Sequence, residues 1–198
     1  MEQTETAGVL EVGTPAPNFR LASAQGDEIA LEDYRGQRNV ILWLSRGLYC
    51  PFCRRYMAQL RLGYKEIQER EAEILEVTYS TPEEARLYFQ QYQLRFPYLC
   101  DPEWAVFRLY GLSTIRKGVG AMAATMAVSM AAEMSDRLFR GERSASPAPY
   151  MKRYGSTDME QAAFIIDKSG VIRYVCTTSS FGGLPSNAEY LRQLERLQ

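Results

Sequence analysis

The run from Asn39 to Leu44, NVILWL, is apolar almost throughout and passes within a few residues into Cys50-Pro51-Phe52-Cys53. A continuous apolar run bounded by polar residues is a strand buried on both faces. From Pro51 the period changes. Tyr56, Leu60, Tyr64 and Ile67 fall four, four and three residues apart, so a helix follows the strand. A doubly buried strand that hands over to a helix needs layers above and below it, and the chain is read as α/β.

The other elements agree. Phe19-Arg20-Leu21 and Glu28-Ile29-Ala30-Leu31 flank a turn at Ala24–Asp27, and Leu31–Gly36 is one helical turn. Ala72–Tyr79 is a second buried strand. Thr81-Pro82-Glu83-Glu84 carries a cap, a proline at the first helical position and first-turn acids, so a helix runs from there to about Leu94. Phe96–Cys100 is a short extended piece, and Asp101-Pro102-Glu103 opens a helix that Gly111 ends. Ala162–Asp167 and Val171–Thr177 form a hairpin across Lys168-Ser169-Gly170, and Asn187–Leu197 is a closing helix with Tyr190, Leu191, Leu194 and Leu197 on one face. The order predicts a mixed, mostly parallel sheet with helices on both faces. One domain over residues 1–198 accommodates all of it, with a helical insertion at about 112–150 and a surface loop at Ser144–Pro149.

Composition removes whole classes of chemistry. The chain has no histidine, which excludes Ser-His-Asp and Cys-His triads and His-ligated metal centres. Its 23 Lys+Arg and 24 Asp+Glu leave a net charge of −1, so no basic field is available to hold a nucleic acid. The start, Met1-Glu2-Gln3-Thr4-Glu5, is acidic where a signal peptide is basic. The longest charge-free run, Gly118–Ala132, has 15 residues, short of the roughly 20 that span a bilayer. A soluble, cytoplasmic protein that binds neither membrane nor nucleic acid is expected.

The chemistry that remains is sulfur. With Cys50 at the N-cap, Pro51 becomes the first helical residue, where its missing N–H costs nothing. The Cys50 sulfur then faces free backbone N–H groups and the positive end of the helix dipole, both of which favour thiolate. Cys53 follows at i+3 on the same face. Helical neighbours at that spacing have Cβ atoms about 5–6 Å apart against about 3.5–4.5 Å in a disulfide, so the bond closes only with adjustment and stays reducible. A CxxC where a buried strand enters a helix is the signature of a cycling thiol pair. Cations at a helix N-terminus cost about 0.3–1 kcal/mol unless an anion is near. Arg46 and Arg54 are therefore candidates to stabilise the thiolate, with Arg55 beside them; pairing with surface acids is the alternative. Zinc would need four Cys or His ligands and only Cys100 and Cys176 remain, so no metal or other cofactor is expected. Packing is the default for those two cysteines, with a resolving role for Cys100 as the alternative.

Met122, Met126, Met130 and Met134 recur every four residues in an alanine-rich helix inside the long connection after Gly111. Gly118 and Gly120 precede it as candidate hinges. The stripe is expected to cover apolar surface near the cysteine corner of the same subunit or to meet a second subunit in a homodimer.

Gly13-Thr14-Pro15-Ala16-Pro17-Asn18-Phe19, the NVILWL strand, the Cys50–Cys53 corner, Asp101-Pro102-Glu103 and FIIDKSGVIRYV (Phe164–Val175) resemble the AhpC/TSA-type peroxiredoxins. The likeness is to the peroxiredoxin-like subgroup with CxxC at the active corner, and it covers most of Gly13–Thr177 apart from the methionine-rich insertion. It implies a thioredoxin-like fold and a thiol-dependent antioxidant oxidoreductase. Such an enzyme cycles Cys50–Cys53 between dithiol and disulfide to reduce peroxides, with a thioredoxin-like protein as thiol reductant. Carried over residue by residue, it puts peroxide attack on Cys53 and places Cys50 where the family has Thr or Ser. Arg46 stands at the family's upstream proline position and Gln161 at its active-site arginine. No proline precedes Ala162 to make a thioredoxin-type cis-proline loop. Helix geometry alone favours Cys50 as nucleophile for disulfide exchange, and the likeness tips the expectation to Cys53. Two alternatives stand beside the peroxidase: a protein disulfide reductase without peroxidase activity, and a non-catalytic thioredoxin-fold module that dimerises through the methionine helix.

Overall fold

In the computed structural model, which describes residues 8–90, 94–116, 118–139, 152, 157–178 and 182–197, the chain begins with a short antiparallel hairpin. Its strands are β1 (Arg20–Ala22) and β2 (Glu28–Ala30). One 3₁₀ turn, Leu31–Tyr34, follows and leads into β3 (Asn39–Ser45), every residue of which is buried. A second 3₁₀ turn, Gly47–Tyr49, carries the chain into α1 (Pro51–Glu69), and β4 (Ala72–Thr78) returns beside β3. Then come α2 (Pro82–Phe89), β5 (Tyr98–Cys100) and α3 (Ala105–Leu109). An excursion follows: β6 (Thr114–Arg116), α4 (Val119–Phe139) and β7 (Thr157–Met159). The chain ends with β8 (Gln161–Ile166), β9 (Ile172–Thr178) and α5 (Asn187–Glu195).

The main sheet has the order β5-β4-β3-β8-β9. β3–β4 and β4–β5 are parallel, while β3–β8 and β8–β9 are antiparallel. The expected mixed sheet is present, with parallel pairing confined to the half built by crossover helices and the other half formed by the C-terminal hairpin. Alternation along the strands divides the core. Ile41, Trp43, Ile74, Tyr98, Ala163 and Ile165 face α1 and α5, whose Leu60, Ile67, Tyr190 and Leu194 close that layer. Val40, Leu42, Leu44, Leu75, Val77 and Phe164 face the other way, against α3 and the N-terminal segment through Phe107, Tyr110, Ala16 and Phe19. The thioredoxin-like architecture follows from β3 being apolar on both faces.

Three boundaries differ from the sequence reading. α2 stops at Phe89 rather than near Leu94. α3 starts at Ala105 because Trp104 is left-handed, φ 57°, and the Asp101 carboxylate reaches forward to accept the Ala105 and Val106 N–H groups at 2.9 and 2.8 Å. The insertion is closed by a strand pair not anticipated from sequence, Thr114–Arg116 against Thr157–Met159, so the excursion ends beyond residue 150. The loop expected at Ser144–Pro149 lies outside the described residues.

Gly47 makes the turn between β3 and α1 possible. Its φ is +69°, its N–H donates to Ser45 Oγ at 2.9 Å, and a Cβ there would stand 2.8 Å from Tyr98 Oη and 3.1 Å from Thr78 Cβ. Gly36 has a similar φ of +71° but open space around it. Gly47→Ala should therefore cost about 1–3 kcal/mol more than Gly36→Ala, because only the first adds overpacking to left-handed strain. Equal losses in urea unfolding would contradict the close packing of this turn. Asp101→Ala, which uncaps α3, should lower stability by about 1 kcal/mol, seen as a shifted urea midpoint at unchanged slope.

Candidate active site

β3 delivers the chain to the C-terminal end of the central strand, Gly47 turns it, and Cys50 stops with extended backbone, φ −97° and ψ 113°, as the N-cap of α1. Pro51 is the first helical residue, as the sequence requires. Cys50 Sγ accepts the backbone N–H of Cys53 at 3.4 Å. The thiol pKa of Cys50 is held below its ordinary value. The largest cause is the hydrogen bond from the Cys53 side chain, which with the Cys53 and Phe52 N–H groups and the Arg46 charge outweighs burial. Cys53 is the opposite case. Burial raises its pKa well above the ordinary value, and hydrogen bonding to Cys50 and the Cys50 charge push the same way. The single Cys53 proton has a second acceptor, Gln161 Oε1, at 3.3 Å. The pair is thus unequal: Cys50 is the more readily ionised sulfur and Cys53 the one that holds its proton, and both are buried.

The two candidate arginines separate. Arg46 is buried at the turn before Cys50, and its charge lowers the pKa of both cysteines. The expected role of Arg54 at the thiolate is corrected. Its guanidinium is occupied by the Leu48 carbonyl and the Glu133 carboxylate on α4. Arg55 packs over the Phe52 ring at 5.7 Å, donates to both oxygens of Asp136 at 2.9 and 3.2 Å, and reaches the Ala132 carbonyl at 3.2 Å. The anions that answer the cations at the start of α1 are therefore those of α4, about eighty residues away in sequence.

This pairing decides which face of α4 turns inward. Ala132 and Asp136 are buried, whereas Met126, Met130 and Met134 are 41%, 69% and 61% exposed. Coverage of the cysteine corner by the methionine face of the same subunit is overturned, because two half-buried ion pairs hold the acidic face of α4 onto α1 instead.

Cys100 is buried on β5, and desolvation pushes its thiol up to about 12. Cys176 donates to the Gly183 carbonyl at 3.2 Å, and burial raises its pKa as well. Neither is poised to act as a thiolate. Among the described residues, no group of three His, Cys, Asp or Glu side chains gathers to hold a metal, and no helix is long and apolar enough to cross a membrane.

Two residues of the corner were not singled out as active by the sequence reading. Gln161, known only as a departure from the family arginine, is 2% exposed and holds the Cys53 thiol. Glu76, in the middle of β4, is fully buried on the α1 side of the sheet. Two acids within AEILEVTY, a run read as a buried strand, were the available signal. Beside Cys53 a cavity of about 330 Å³ is lined by Phe52, Tyr56, Gln59, Gln161 and Leu184.

Comparison with known proteins agrees with this geometry. A protein called alkyl hydroperoxide reductase E from Mycobacterium tuberculosis is 28% identical over 113 residues, 56% of this chain and 74% of that protein. The thiol-disulfide oxidoreductase ResA of Halalkalibacterium halodurans is 34% identical over 107 residues, 52% of this chain and 58% of that protein. The crystal structure of peroxidoxin BcpB from Mycobacterium tuberculosis superposes with a TM-score of 0.66 at 15% identity, covering 96% of this chain and 99% of that one. The family model described as AhpC/TSA matches residues 12–175, from ahead of β1 to within β9, and the chain belongs to the AhpC/TSA family.

Proposed function

We propose that this chain is a thiol-dependent peroxidase whose Cys50 thiolate attacks the peroxide and whose Cys53 thiol closes the disulfide. The observation that carries the order is the asymmetry of the pair: Cys50 accepts the helix N–H and lies under the charge of Arg46, while Cys53 keeps its proton against Gln161. The thiolate, not the thiol, is the nucleophile. This order is the reverse of the one implied by the family likeness. In the first step the S–O bond forms and the O–O bond breaks, giving Cys50 sulfenic acid and an alkoxide or hydroxide, which takes up a proton to leave as alcohol or water. Cys53 sulfur then attacks Cys50 sulfur, and water leaves as the disulfide closes. An external dithiol, such as a thioredoxin-like protein, restores the pair by exchange. The relatives named alkyl hydroperoxide reductase support the peroxide as oxidant. Four cysteines in 198 residues, two of them in a close pair, fit a reducing, cytoplasmic setting better than a disulfide-stapled one.

A neutral amide in place of the family arginine leaves Arg46 as the cation at the sulfurs. The reading as a protein disulfide reductase is favoured by the likeness to ResA and by the same Cys50-first order. Catalase-free peroxide consumption with a dithiol donor, run beside reduction of insulin disulfides, separates the two.

Cys50→Ser should lose peroxide turnover by at least about 10³-fold. Cys53→Ser should accumulate sulfenic acid at Cys50, detected by mass. Sulfenic acid forming on Cys53 in the Cys50→Ser protein would reverse the assignment. The rate of the first step should stay on its plateau below the ordinary thiol pKa of about 8.5 and fall only as pH drops through the lowered Cys50 value.

We propose the outward methionine face of α4 as the contact of a homodimer. Because Met126 and Met130 are exposed, changing both to Glu should leave the melting temperature within about 2 °C and convert a sedimenting dimer to monomer. A dimer unchanged by both substitutions would remove the methionine face as the contact.

A further inference from the structure

Glu76 lies in the middle of β4, fully buried, and points into the layer holding the cysteines. Its cross-strand neighbours are Trp43 on β3 and Tyr98 on β5, and that face is otherwise built from Ile41, Ile74, Ala163, Cys50, Cys53 and Met57. Ser45 Oγ donates to Glu76 Oε1 at 2.6 Å and itself accepts the Gly47 N–H at 2.9 Å. Glu76 Oε2 has no hydrogen-bond partner among the described residues. A carboxylate held by one hydrogen bond in an apolar layer is costly, and a neutral acid is the form such a site tolerates. Burial and the nearby Cys50 charge both favour the protonated form, against the Ser45 hydrogen bond. An apolar residue would fill this position at less cost, so the acid has a use there.

We propose that Cys50 and Glu76 carry one buried negative charge between them, and that it passes to Glu76 when the disulfide closes. This rests on the Cys50–Cys53 cycle proposed above. In the dithiol form the charge is on Cys50, and Glu76 is a neutral acid. Oxidation by a peroxide ROOH forms the S–S bond and breaks the O–O bond. The Cys50 thiolate, the Cys53 thiol and ROOH become the disulfide, ROH and hydroxide. The Glu76 proton turns that hydroxide into water, and the charge is left on the carboxylate. Reduction by a dithiol reverses the balance: two electrons and two protons enter, one proton for Cys53 and one for Glu76.

The groups facing Glu76 leave these as the titrating sites near neutral pH. From the turn before α1 comes Arg46, which stays charged. From α1 come Cys53 and Tyr56, and from β5 come Tyr98 and Cys100; burial keeps all four protonated well above neutrality. β8 contributes the neutral amide of Gln161, and β3 the hydroxyl of Ser45.

The test is the equilibrium of the full-length protein with dithiothreitol between pH 6.5 and 8, where the reagent exchanges two electrons and two protons. Each linked proton changes an equilibrium constant tenfold per pH unit. The wild-type protein takes up two protons on reduction, so its constant should be flat with pH. Glu76→Gln, which keeps the shape and the Ser45 contact, takes up one, and its constant for reduction should rise tenfold per pH unit. An infrared carboxylic-acid band in the wild-type dithiol, lost in the disulfide form and missing from Glu76→Gln, is the second readout and needs no variant to show the change. Equal slopes for the two proteins, or a tenfold rise already in the wild type, would overturn the charge exchange while leaving the disulfide cycle standing. A pair that never loses two hydrogens on oxidation would overturn the cycle and the exchange together.

Discussion

Cys50 Sγ has almost no contact with solvent, yet it is the sulfur poised to carry charge, against the Cys53 N–H at 3.4 Å and near the Arg46 cation. A charge taken out of water has to find its donors already in position. That need explains much of the surrounding design. α1 must begin at Pro51, because only the start of a helix offers unspent N–H groups. The turn into it must contain Gly47, since a side chain there would meet Tyr98 and Thr78. β3 must be apolar on both faces because, as the central strand, it carries the chain to that turn through core on either side.

The same need limits what else the corner contains. Arg54 and Arg55 bring two more cations to the first turns of α1, where the helix field is unfavourable to them. Glu133 and Asp136 of α4 answer them. An insertion that would be a decoration in another chain here balances charge around the active helix. The helix pairs through its acids, and Met126, Met130 and Met134 face out. Gln161 completes the pattern by accepting the Cys53 thiol on its amide oxygen, a contact that suits a protonated sulfur.

Much of this was legible in the sequence, and the legible part is local. The NVILWL run, the period change at Pro51, the Thr81-Pro82 cap and the Lys168-Ser169-Gly170 turn act over a few residues, and each forms where the pattern places it. The hidden part depends on partners far away in the chain. Arg54 and Glu133 are 79 residues apart, and nothing in the spacing of either points to the other. Cys53 and Gln161 are 108 apart. Which face of α4 turns inward could not be read from its methionine period, because its acids pair with arginines of α1 far away in sequence. Glu76 was visible as an acid in a buried strand, but its place beneath the cysteines appears only when β4 is laid against β3 in register.

The unequal burial of the four sulfurs has a practical side. Cys53 and Cys100 are buried thiols with raised pKa, Cys176 is raised as well, and Cys50 alone is lowered. Toward an electrophile at neutral pH, Cys50 is therefore the sulfur expected to react first. A haloacetamide is expected to label it ahead of the other three.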